Sequence, residues 1–117
     1  MNNKEVADTF ANRHIWKSEG KIAGSHLFIE GNVIYSHGYH FPLAIRLEDN
    51  TFILNDDDYG TNSTARHKRL VRQAIGTNKT FLLPTNELKE IIFKEFKTLK
   101  EIMLNKFYKG LKGGMTI

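Results

Sequence analysis

Five histidines and a short run of arginines are the side chains best suited to do chemistry in this chain. His37 and His40 sit in the segment Tyr35-Ser36-His37-Gly38-Tyr39-His40, while His26 and His67 stand farther away. Two imidazoles near neutrality, with a cation to hold a phosphate, are the minimum for metal-free RNA cleavage. His40, His67 and Arg66 supply that inventory. The same histidines fit poorly as metal ligands. The chain has no cysteine, and no two histidines are spaced i, i+4 on one helix, so no metal site and no cofactor is expected. His67 falls on the apolar face of its helix, where a hydrogen-bonded structural histidine is the commoner occupant. The histidine nuclease therefore ranks behind the readings that follow.

The arginines carry the leading expectation. Arg66, Arg69 and Arg72 are spaced three apart on one predicted helix, with Lys68 four before Arg72 and Lys79 just beyond. Guanidinium forks match phosphate oxygens bidentately, and a capped helix start presents free backbone N–H groups. The blander account is a solvated helix face, which explains most charge runs. What favours phosphate contact is how charge divides along the chain. Residues 1–60 hold five Lys/Arg against nine Asp/Glu, whereas residues 61–117 hold twelve against four. The overall +4 thus hides a strongly basic second half, a source of local positive field. Lysines of the last helix alternate with glutamates, as in Glu90–Lys94, and read as ordinary i, i+4 supports.

Asp56, Asp57 and Asp58 form an acidic turn. Counted as a calcium loop from Asp56, its twelfth position is His67 where a bidentate Glu is required, so that reading fails. The carboxylates are instead solvated, turned toward the basic helix, or offered to a protein partner as phosphate mimics.

The elements that must position these groups follow from period and punctuation. Residues 4–14 predict a helix with Val6, Ala7, Phe10 and Ala11 on one face. A glycine-punctuated loop spans 17–24. Residues 26–29 and 33–36 flank Glu30-Gly31-Asn32, a hairpin signal. Residues 40–47 alternate, with Phe41, Leu43, Ile45 and Leu47 on one side, which implies a sheet with one packed face and one exposed or lightly covered. Pro42 places this strand's start or an edge there. Residues 51–54 make another strand, and 55–60 a loop. From residue 65 to 75 the period becomes helical, with His67, Leu70, Val71, Ala74 and Ile75 on one face and Gly76 as the stop. Residues 79–83 form a further strand ended by Pro84. Thr85 or Asn86 then caps a long helix to about Lys109, whose apolar end includes Phe107 and Tyr108.

The expected fold is therefore α+β. It comprises an antiparallel sheet of four to five strands, an N-terminal helix, a short basic helix, and a long C-terminal helix packed on one face. One domain covers 1–110, with a flexible tail at 111–117. No apolar run approaches the ~18 residues needed to span a bilayer, and no signal peptide is evident, so no membrane association and a cytoplasmic place in a bacterial host are expected.

The stretch Tyr35-Ser36-His37-Gly38-Tyr39-His40-Phe41-Pro42-Leu43-Ala44, followed by Thr-Asn-Ser-Thr-Ala-Arg-His at 61–67, resembles small proteins of phages and mobile elements. These share a Tyr-Ser-x-Gly-x-His-Phe-Pro-aliphatic-Ala segment before a Ser/Thr-rich turn ending in Arg/Lys-His. The resemblance covers about residues 25–75 and implies a genomic setting, with no established activity. It couples His40 with His67, as a structural brace of Tyr39, His40 and His67 would require. The leading expectation is a non-enzymatic binder of DNA, RNA or a nucleic-acid-bound host protein, acting through Arg66, Lys68, Arg69, Arg72 and Lys79. The alternative is a phage-encoded, anti-CRISPR-like inhibitor of a host defence protein, gripping it through Asp56, Asp57 and Asp58 or through Phe107 and Tyr108. The apolar helix end also leaves a homodimer through the C-terminal helix open.

Overall fold

The computed structural model describes residues 1–57 and 62–95. Helix α1 (Asn3–Asn12) starts at a capping box. The Asn2 side chain accepts from Glu5 N–H, and the Glu5 carboxylate accepts from Asn2 N–H. Six strands follow: β1 (Ile22–Ala23), β2 (Leu27–Glu30), β3 (Val33–Ser36), β4 (Pro42–Arg46), β5 (Phe52–Asn55) and, after helix α2 (Asn62–Ile75), β6 (Thr80–Leu83). Residues 85–95 are helical and are called α3.

The strands lie in sequence order in one sheet. β1 to β5 form an antiparallel meander, and β6 pairs parallel to β5 after the α2 crossover. Two tight turns set the register. Gly31 takes a positive φ (+61°) between β2 and β3, and Asp49 and Asn50 both take one (57° and 54°) between β4 and β5. The latter pair has the two positive φ values of a type I′ turn, with Thr51 N–H donating to Glu48 O, while Thr51 O accepts from Leu47 N–H, so Leu47 and Glu48 both stand opposite Thr51.

The sheet is covered on both faces. Phe10, Leu27, Ile29, Ile34, Phe52 and Leu54 pack with Val71 and Ile75 on the side of α1 and α2. Phe28, Val33, Tyr35, Ile45 and Ile53 pack with Leu88 of α3 on the other.

Three sequence expectations are corrected here. The sheet has six strands rather than four or five and is mixed rather than antiparallel, because β1 escapes notice inside a glycine loop and parallel pairing leaves no local signal. No face is left open, since strands such as β3 and β5 are buried at every residue. The alternation through 40–47 is also broken: Ala44 opposes Ile34 and Pro42 opposes Tyr35, leaving Leu43 as the extra residue of a β-bulge. Leu43 and Ala44 therefore both face the α1/α2 side, while Ile45 joins the other. The long C-terminal helix is seen as α3 to residue 95; its expected continuation, with Phe107 and Tyr108, lies outside the described residues. Among the described residues no helix is long and apolar enough to cross a membrane.

Candidate nucleic-acid interface and histidine cluster

Helix α2 forms as its pattern dictates. Thr64, His67, Val71 and Ile75 are buried, and Gly76 ends the helix, its N–H donating to Arg72 O. Arg66, Arg69 and Arg72 are exposed. At about 100° per residue they fan across about 120° of the outward surface, with Arg69 at its crest. Among the described residues the ion pairs are Lys4–Asp8 and Arg13–Glu19, and the three arginines make neither an ion pair nor a side-chain hydrogen bond. Lys68 is half-buried and donates to Asp57 O. Lys79 is exposed, with its ammonium 5.3 Å from the Phe81 ring centre.

Asp57 does not stand free. Its carboxylate accepts from Thr85 N–H at 2.7 Å, capping the start of α3, and that bonding lowers its pKa below the ordinary carboxylate value. Asn55, expected in the loop, is the fully buried end of β5, where its amide donates to Pro42 O and Thr85 Oγ1. The acidic turn is thus partly a structural tie between β5 and α3; Asp56 is exposed and Asp58 lies outside the described residues.

Three of the five histidines gather at the first turns of α2. Ring centres of His26 and His37 are 5.0 Å apart, those of His37 and His67 5.0 Å, and those of His26 and His67 5.7 Å. His67 is only 5% exposed and shares a 2.7 Å hydrogen bond between Nδ1 and Ser36 Oγ. Burial, together with the neighbouring His37, His26 and Arg66, holds its pKa down to about 4, so it is neutral at physiological pH. His26 and His37 are exposed above it. Ser63, one turn before Arg66 on the same flank of α2, brings its Oγ within 3.4 Å of His37 Nε2.

Each imidazole has a specific support. His26 is fixed by α1, because Asn3 Oδ1 accepts from both His26 N–H and Leu27 N–H. That approach requires Gly24, where a Cβ would come within 2.9 Å of Asn3 Oδ1. His37 has φ 65°, and around it Gly38 N–H donates to Ser36 O at 2.8 Å, the strained form of the γ-turn. Such a backbone on a non-glycine residue costs about 1–3 kcal/mol and persists only where surrounding contacts impose it. His37 N–H donates to His26 O, one such contact.

His40 and Tyr39 do not join His67, contrary to the brace expected from the sequence and to the catalytic set of His40, His67 and Arg66. The His40 ring lies on Phe41 (4.3 Å), and Tyr39 stacks edge-on against Phe28 and Tyr35, which belong to the α3 face. The His37 ring thus meets His26 and His67 while the His40 ring meets Phe41. Tyr39 donates to Glu30 and, with Lys21, Lys89 and Phe93, borders a cleft of about 670 Å³ between the β2–β3 turn and α3. Sequence reasoning placed His26 only as a distant member of a metal set. Among the described residues no three His, Asp or Glu are arranged to hold a metal ion.

No family model matches this chain, and no curated protein or solved structure is significantly similar to it.

Proposed function

We propose that the chain binds nucleic acid through the outward face of α2, with Arg66, Arg69 and Arg72 as its principal phosphate contacts and Lys68 and Lys79 flanking them. The observation that carries this reading is that three exposed guanidinium groups share one helix surface with no carboxylate partner among the described residues. Unpaired guanidinium forks are suited to bidentate phosphate contact. Affinity should then fall with salt, with a log–log slope of about −0.7 to −0.9 per phosphate neutralised. A salt-titrated gel shift of the protein and of an Arg66/Arg69/Arg72→Ala variant tests it.

A protein partner is the second reading, and one observation favours it. Lys79 O accepts from Phe52 N–H of β5 and Leu83 O from Asp56 N–H just beyond it, so by alternation Thr80 and Leu82 turn their backbone groups toward the far edge of β6. Phe81 and Leu82 are 49% and 53% exposed on that edge. An open apolar edge is a template for an added strand. Pull-down from host lysate after nuclease treatment separates the two readings, because a protein contact survives that treatment.

A further inference from the structure

The basic face of α2 leaves the imidazole cluster unexplained, and three features of that cluster point to use rather than to packing. A buried, neutral His67, locked to Ser36, forms a floor against which the other two rings rest. The two rings above it are exposed and touch each other edge to face. His37 holds its place at the cost of a left-handed backbone. Packing alone does not need an exposed ring held in a strained turn.

The location supplies a substrate. Ser63, beside His37, and Arg66 are one turn apart on the same flank of α2, and Arg69 continues that row. A strand held on Arg69 and Arg66 would have its next phosphate at His37 and His26. We propose that His26 and His37 act as an acid–base pair that cleaves single-stranded RNA held on this row. The inference rests on nucleic-acid binding by α2 and adds an activity to it.

The step uses only these groups and the substrate. One imidazole, neutral, takes the proton of a ribose 2′-hydroxyl as the 2′-oxygen forms a bond to the adjacent phosphorus. The P–O5′ bond breaks, and the other imidazole, protonated, gives its proton to the departing 5′-oxygen. The products are a 2′,3′-cyclic phosphate and a 5′-hydroxyl, with the two imidazoles left in exchanged protonation states that solvent resets. Arg66 holds the non-bridging oxygens. His67 and Ser36 touch no substrate and are positioning residues.

The test uses the full chain in EDTA with end-labelled single-stranded RNA, the same sequence as DNA, and the RNA with every 2′-hydroxyl methylated, across pH 5–8. Only the unmodified RNA should be cut, leaving 2′,3′-cyclic phosphate ends, with a bell-shaped dependence of rate on pH. His26→Gln and His37→Asn should each slow cleavage by about 100-fold or more. Asn is chosen at 37 because it tolerates positive φ, so the turn is kept. The methylated RNA is a control that needs no variant to fold. RNA that shifts in a gel but stays intact overturns this proposal and leaves the binding reading standing; RNA neither shifted nor cut overturns both. Cleavage of the methylated RNA, or cleavage unchanged in both variants, also overturns it.

Discussion

His67 shows how one residue couples stability to pH. Its pKa is about 4 in the folded chain against 6.5 for a free imidazole, so the unfolded chain takes up the proton first. Stability is full above about pH 6.5, falls progressively toward pH 4, and loses nothing more from this group below that. The groups facing it are His37, His26 and Arg66, all of which disfavour its charge. Asp57 and Glu19, whose pKa values are lowered by their hydrogen bonds, add a loss of the same sign that begins as pH falls through their ordinary values of 3.8 and 4.5. Urea unfolding at about pH 7 and about pH 4.5 should therefore show a lower midpoint at the acid value, and His67→Gln should flatten that difference. Ser36→Ala, which strips a buried imidazole nitrogen of its partner, should cost about 1–3 kcal/mol at neutral pH.

Among the elements, the helices on the sheet's two opposite faces make separable contributions. Leu88 of α3 is fully buried against Phe28, Ile45 and Ile53, so Leu88→Ala should cost about 2–5 kcal/mol by chemical denaturation. A loss under about 0.5 kcal/mol would mean that this face is exposed or only lightly covered, as the alternation at 40–47 implied. Arg46 ties β4 to the end of α1, its guanidinium donating to Phe10 O and Ala11 O. Cations suit a helix C-terminus, and charged hydrogen bonds contribute about 1.5–3 kcal/mol, so Arg46→Ala should lose about that much, measured by the same denaturation. What the sequence disclosed was local. The buried face of α2 and its Gly76 stop are readable because period and punctuation act over a few residues. The bulge at Leu43 is hidden because Leu43 and Ala44 still look alternating on paper. The parallel partner of β5 is hidden because it arrives only after a whole helix. His26 meets His37 and His67 through the β2–β3 hairpin and the α2 crossover, a nonlocal meeting that spacing cannot show.

At the scale of the molecule, the arginines of α2 stand without a carboxylate partner among the described residues, although α1, with Glu5 and Asp8, packs beside that helix. The acidic first half builds most of the sheet and α1, and its Asp57 is occupied in capping α3. The arginines of α2 project from the opposite side of the sheet to α3, and the two elements do not neutralise each other there. Exposed and unpaired among the described residues, the arginines make α2 a positive ridge rather than one half of an ion-pair network. The decisive measurement is a gel shift of single-stranded RNA and duplex DNA over a salt series, with wild type and the Arg66/Arg69/Arg72→Ala variant compared after circular dichroism confirms folding. Retardation at low salt is expected, weakening steeply as salt rises, with the variant's log–log slope shallower by about 2 to 3. Absence of retardation for either polymer at low salt, or a variant that binds as wild type does, would contradict the assignment of α2 as the docking face.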